Sequence, residues 1–145
     1  MKHRIEQISF GSDLYHSALG FRFEILRKPL GLTWSEKDLS GEDRQIHIAA
    51  INDLGKLVGT VVLKPISKEL VKLRQMAVDP NLQKSGIGKN LVLFAEDYAR
   101  SSGYKKIEMI ARISAFEFYR KLGYEPNGEE FEEVTVRSVN MFKNL

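Results

Sequence analysis

No cysteine occurs among the 145 residues. Disulfides, thiolate zinc sites and cysteine nucleophiles are thereby excluded, and a cytoplasmic location is the expectation. Long apolar runs are missing as well: no stretch approaches the ~18 apolar residues that span a membrane. The opening MKHRIEQISF carries charge and no extended apolar segment, so it does not read as a signal peptide. Internal repeats, low-complexity tracts and Pro/Gly/Ser linkers are absent, which predicts one domain over residues 1–145. Nor is charge of one sign concentrated. Lys and Arg total 22 against 19 Asp and Glu, a formal net charge of +3, and the basic residues are scattered. A nucleic-acid surface usually shows a dense basic stripe, so neither nucleic acid nor membrane is an expected partner. The mild positive excess suits an anionic small molecule. His3, His16 and His47 are dispersed without ligand spacing, and no metal is expected.

What is present reads as an ordinary globular chain, 43% hydrophobic and 28% charged. Residues 2–8 (KHRIEQI) read as a first strand. Leu14, Ala18, Phe21 and Ile25 recur at helical spacing over residues 12–27, and Lys28-Pro29 with Gly31 stop the helix. Ser35 and Asp38 predict a capping box opening a short second helix. QIHIAAI (45–51) and KLVGTVVLKPI (56–66) flank Asn52-Asp53-Leu54-Gly55 as a hairpin, and LVKLRQMAV (70–78) follows as a strand ended by Asp79-Pro80. Ile87, Leu91, Phe94, Ala95 and Tyr98 predict a helix over 86–101, with Gly103 just past its end. KKIEMIA (105–111) reads as a strand. SAFEFYRKL (114–122) reads as a helix with a capping box at Ser114 and Glu117, ended by Gly123. The tail FEEVTVRSVNMF alternates enough for one or two strands. The order β-α-α-β-β-β-α-β-α-β(-β) predicts an α/β domain with a mixed sheet, antiparallel in the middle and alternating with helices later.

Chemistry concentrates in QKSGIG (83–88), between a strand and a helix. A Walker loop would need Ser or Thr after Gly88-Lys89, where Asn90 stands, and a glycine five residues before Gly88. A dinucleotide fingerprint would need glycine at Leu91. Both nucleotide readings fail. Two remain open from the loop alone: a plain strand-to-helix turn, or successive backbone N–H groups aimed at a pyrophosphate from a helix N-terminus.

Gln83-x-x-Gly86-x-Gly88 resembles the acetyl-CoA signature Gln/Arg-x-x-Gly-x-Gly/Ala of the GNAT superfamily of N-acetyltransferases. LRQMAVDP before it is similar to that family's central strand. ISAFEFYRKLGYEPNGEEF (113–131) resembles its second motif. The likeness covers residues 56–131 in motif and the whole chain in element order. ILRKPLG, LRQMA and ARISAFEFYRKLGY are further similar to the branch that contains glyphosate N-acetyltransferase.

The resemblance implies a GNAT fold: antiparallel N-terminal strands and a splayed central strand, flanked by helices. It implies acetyl-CoA as co-substrate and no metal. Its pyrophosphate would meet the backbone N–H groups of Gln83, Lys84, Ser85, Gly86, Ile87, Gly88 and Lys89. Its pantetheine would lie along Met76, Ala77 and Val78, much as an added strand would. Tyr119 takes the position that hydrogen-bonds the departing sulfur. A thiol has pKa about 8.5 and tyrosine about 10, so a strengthening hydrogen bond is a better description than full proton transfer. Without the resemblance, Tyr119 on an inward face with Ala115, Phe118 and Leu122 would read as a core tyrosine. Arg27, Arg74 and Arg112 match arginines that bind the acidic end of the substrate in the glyphosate-type branch, and planar guanidinium groups suit carboxylates. Arg27 is also explained by its place at a helix C-terminus, and Arg74 and Arg112 by solvation or ordinary salt bridges. That branch carries a histidine near the C-terminus, where Ser138 stands here. No base is assigned: His47, opposite in facing to Ile46 and Ile48, reads more readily as a surface residue, and Glu130 and Glu132 carry no specific signal.

The sequence therefore predicts direct transfer of an acetyl group from acetyl-CoA to the primary amine of a small, acid-bearing acceptor. A homodimer is compatible with it. A CoA-binding sensor with little catalysis, favoured by Ser138, and a protein-lysine acetyltransferase are the rivals. The arginines argue against the second, because a cationic peptide prefers an acidic cleft.

Overall fold

The sheet begins as an antiparallel run. In the computed structural model, which describes residues 2–145, β1 (His3–Ile8) pairs with β2 (Ile46–Asn52), β2 with β3 (Leu57–Pro65) and β3 with β4 (Leu70–Val78), all antiparallel. β2 and β3 are buried on both faces, because a helix covers each. On one face lies α3 (Ile87–Ser101), whose Ile87, Leu91, Val92, Ala95 and Ala99 join Ile48, Val58 and Val61 in the main core. On the other lies α1 (Asp13–Arg22), whose Ala18 packs with Ala49, Ile51 and Leu57.

β5 (Lys106–Arg112) changes the pattern. It pairs parallel with β4, as two strands joined through a crossover helix do. Its other edge pairs antiparallel with β8 (Val136–Asn144), which also holds the short β6 (Glu125–Pro126) and β7 (Phe131–Glu133). The eight described strands form one mixed sheet in the order β1-β2-β3-β4-β5-β8-β6, with β7 against β8. The arrangement matches the expected splayed GNAT architecture.

Two departures from the sequence reading concern the helices. α1 ends at Arg22 and continues as a π turn (Phe23–Arg27) and a 3₁₀ turn (Lys28–Leu30). Pro29 lacks an N–H and its ring crowds the carbonyl one turn back, so regular α winding stops before it. The short α2 (Glu36–Leu39) opens with the expected Ser35–Asp38 capping box. The capping box expected at Ser114 does not form. A 3₁₀ turn over Ile113–Ala115 delays the start of α4 (Phe116–Lys121), leaving Ala115 as a cap residue with no side-chain bond. Glu117 pairs instead with Arg120 at 3.0 Å.

The β4–β5 pairing positions the candidate site. It runs only from Leu70–Lys72 against Lys106–Glu108. Beyond it β4 continues to Val78 and β5 to Arg112 with no ladder between them. A bulge accentuates the divergence: Thr60 opposes Ala77 and Val62 opposes Arg74, so Gln75 and Met76 together face Val61. Gln75 has φ 56°, in the left-handed region that non-glycine residues seldom enter.

Candidate active site

The wedge between β4 and β5 leaves the β5-facing edge of Arg74–Val78 without a strand partner. An unpaired, partly buried strand edge is a template for an extended ligand carrying amide groups. Met76, Ala77 and Val78 all lie on this stretch. Met76 and Val78 pack against the buried cluster that contains Tyr119.

The glycine loop sits at the wedge's open end. A 3₁₀ turn (Pro80–Leu82), capped by the Asp79 side chain on the Asn81 N–H, leads into Gln83–Ser85. The Ser85 hydroxyl donates to the Leu82 carbonyl. Lys84 and Gly86 both adopt positive φ, 73° and 89°. Gly86 is the cap residue of α3 and supplies no side-chain bond. The first intrahelical bond runs from the Asn90 N–H to the Gly86 carbonyl at 2.9 Å, which leaves the N–H groups of Ile87, Gly88 and Lys89 without intrahelical partners. The first turn contains no acidic residue. Lys84 and Lys89 are exposed. The loop thus fits an anion on physical grounds: free N–H groups, the positive end of a long helix dipole and two nearby ammonium groups. A Cβ at Gly88 would come 3.3 Å from Phe118 Cζ and 3.7 Å from Val78 Cγ2. The end of β4, the start of α3 and α4 therefore converge there.

Tyr119 is 5% exposed. Its ring contacts Phe118 and Tyr124 edge-on at 5.0 and 5.9 Å. Among the described residues its hydroxyl has no hydrogen-bond partner, and burial pushes its pKa above the ordinary value. The hydroxyl is protonated and available to donate. Phe118, predicted to share the inward face, is 37% exposed and lies over Gly88 instead. Tyr119 owes its fixed position to its neighbours. Tyr124 donates to Glu96 Oε2 at 3.0 Å, and Lys143 Nζ reaches Glu96 Oε1 at 3.0 Å and the Leu122 carbonyl at 2.8 Å. These bonds tie the end of α4 to α3 and β8.

On the other side of the wedge the structure gathers all three predicted arginines around the segment joining α1 to β2. Arg27 forms an ion pair with Asp38 at 3.1 Å and lies 4.7 Å from the Trp34 ring centre. Arg112 reaches the Leu26 carbonyl through one long bond of 3.4 Å. Arg74 gives Nη1 to Glu42 Oε2 at 2.8 Å and to Gln45 Oε1 at 2.9 Å. The sequence reading had no signal for what lies beneath. Arg22, fully buried, grips Glu42 with two bonds of 2.9 and 2.7 Å, and Tyr15 donates to Glu42 Oε1 at 2.8 Å. Burial alone would raise the pKa of Glu42, but its hydrogen bonds to Arg22 and Arg74 bring it down to about 2. The Glu42 carboxylate is therefore ionised and fully engaged.

His47 is a correction. It is 2% exposed, stacked edge-on against Tyr15 at 4.8 Å, with Nε2 2.7 Å from the Glu42 carbonyl. α1 covers the sheet face on which it sits, so it is neither a surface residue nor a base in the cleft. Burial lowers its pKa and favours the neutral ring. Ser138, the register partner of Arg112, is buried and donates its hydroxyl to the Val136 carbonyl. Glu130 and Glu132 are exposed. Among the described residues no group of His, Cys, Asp or Glu is arranged to hold a metal ion, and no helix is long and apolar enough to cross a membrane.

The sequence model of the acetyltransferase (GNAT) family matches residues 12–124, from the first helix into the second motif. The chain belongs to that family. An uncharacterized N-acetyltransferase of Methanocaldococcus jannaschii is 31% identical over 124 residues, covering 78% of this chain and 54% of that protein. The chain spans about half the length of the curated relatives it matches. Two solved structures show the shared GNAT fold. Escherichia coli ElaA superposes with a TM-score of 0.83 at 18% identity, over 98% of this chain and 99% of that one. An aminoglycoside 6'-N-acetyltransferase complexed with coenzyme A superposes with a TM-score of 0.78 at 18% identity, over 97% and 96%. Within this GNAT chain, the glycine loop, the open strand edge and Tyr119 lie on one side of the wedge. The arginine–glutamate cluster lies on the other.

Proposed function

We propose that this chain is an acetyl-CoA-dependent N-acetyltransferase, a single catalytic domain over residues 1–145 that acetylates the primary amine of a small acceptor bearing an acid group. The observation that carries the reading is the unpaired β4 edge running into an uncapped helix N-terminus. In this reading the N–H groups of residues 83–89 bind the pyrophosphate of acetyl-CoA. Met76–Val78 hold the pantetheine along the open edge and offer a backbone N–H to the thioester carbonyl. Acetyl-CoA supplies the activated acyl group. The acceptor nitrogen bonds to the thioester carbon, the C–S bond breaks, and the amine proton leaves to water. Tyr119 donates a hydrogen bond to the departing sulfur. Its raised pKa makes it a poor proton source, so its contribution is a bond that strengthens as charge develops on sulfur. No chain residue is assigned as the base: Glu42 is too weak a base, and Ser138 is a committed donor.

The acidic acceptor is supported by an excess of donors on the acceptor side. Arg74 Nε and Nη2 have no partner among the described residues, Arg112 has one long bond, and the Trp34 indole N–H is buried without a partner. This preference is also the feature shared with the glyphosate-type branch. The test is titration with acetyl-CoA followed by thiol release over a panel of amines. Saturable binding with turnover on amino acids or aminophosphonates is expected. Absence of acetyl-CoA binding, or activity on basic peptides alone, would overturn the reading.

A further inference from the structure

The Glu42 carboxylate accepts from four donors: Arg22 Nη1 and Tyr15 Oη on Oε1, Arg22 Nη2 and Arg74 Nη1 on Oε2. A carboxylate has about four lone-pair sites, so Glu42 has none left for a substrate proton or ammonium group. Its function must run through the groups it holds. Arg22 is equally committed. Both its Nη atoms go to Glu42, and its Nε donates to Gln75 Oε1 at 3.3 Å, at the bulge beside Met76.

Arg74 differs. Both its bonds leave from Nη1, to Glu42 and to Gln45. Its Nε and Nη2 have no partner among the described residues, and the side chain keeps 20% of its surface exposed. Those two N–H groups are parallel and form the side-on fork that matches the two oxygens of a carboxylate. A free arginine on a strand samples many rotamers, and two bonds at one end of the guanidinium fix which edge points outward.

We infer that Glu42 is a positioning residue for acceptor specificity: with Gln45, it holds Nη1 of Arg74 so that the Nε–Nη2 edge is presented to the acid group of the acceptor. This rests on the proposed acetyltransferase reading and sharpens it by naming which arginine edge reads the acid and what aims it. Arg22 compensates the buried carboxylate and links it to Gln75, so the acceptor reader and the bulge of the cofactor strand share one anchor.

The experiment measures binding of an amino acid and its carboxamide counterpart to the CoA-saturated protein by calorimetry. The parent, Gln45→Ala and Glu42→Gln are compared. Gln45 lies at the edge of the cluster, so Gln45→Ala keeps the buried Arg22–Glu42 pair and serves if Glu42→Gln fails to fold. Each variant should cut the acid-over-amide affinity ratio on the order of tenfold, and Gln45→Ala, which keeps the Arg22–Glu42 link, should leave CoA affinity unchanged. Gln45→Glu should restore most of the ratio, because it supplies the second acceptor again. A merely structural role would weaken both ligands equally, and that result overturns the inference, as does a parent protein with no preference for the acid. Discrimination in binding with no thiol release from any amine would instead overturn the acetyltransferase reading and leave this inference standing.

Discussion

The two sides of the wedge are built from opposite materials. The proposed donor side is backbone: an unpaired strand edge, a left-handed glycine and the bare N–H groups of a helix start. The proposed acceptor side is side chain: a buried carboxylate with three cationic or hydroxyl neighbours, two from α1 and one from β4. Backbone groups keep their geometry when side chains change, so the donor side tolerates sequence drift as long as its glycines stay. A packed ionic cluster has no such tolerance. Removing one member strands a buried charge, and its members must change together. One fold can thus hold its co-substrate constant while its acceptor varies.

Removing Arg22 tests that contrast hardest. Arg22→Met leaves Glu42 buried with only Arg74 and Tyr15, and loss of one partner of a buried pair costs about 3–5 kcal/mol. Urea unfolding should show a loss of that size; a change below about 1 kcal/mol would mean the cluster is not the ionic anchor described here. On the donor side, Gly88→Val should cost binding rather than stability. The new side chain meets Phe118, which is 37% exposed and free to swing away, but it also stands between the ligand and the helix N–H groups. Losing one or two charge-assisted hydrogen bonds predicts a 10- to 100-fold weaker CoA affinity with a nearly unchanged urea midpoint. Wild-type affinity in this variant would remove the loop from the donor site. The smallest effect is expected from Tyr119→Phe. Its hydroxyl makes no bond within the described chain, so stability should hold, while the maximal rate falls about tenfold through loss of one hydrogen bond. An unchanged rate would return Tyr119 to the core.

The same contrast explains what the sequence disclosed. Gln83–Gly88, the strand before it and Tyr119 lie within two contiguous motifs, because local backbone shape and helix phase are written in neighbouring residues. The strands were legible through alternation and turn residues, with β4 falling on Leu70–Val78 as expected. Tyr15, Arg22, Glu42 and His47 lie in unremarkable local contexts and meet only in three dimensions, so nothing in their spacing marks them. The misplaced α4 cap has the same origin, since a 3₁₀ turn and a capping box both suit Ser114 and only packing decides between them.

The short β4–β5 contact also bears on how the molecule unfolds. Six residues in three register pairs join β1–β4 to β5–β8 across the sheet, and the rest of that boundary is held by the Lys105 and Lys106 N–H bonds to the Glu69 carbonyl, the Arg112–Leu26 bond, α3 and the Glu96–Tyr124–Lys143 tie. A narrow seam in the ladder is where two blocks of a sheet open locally first. A molecule lying in the wedge would bridge them and convert two partly independent melting units into one.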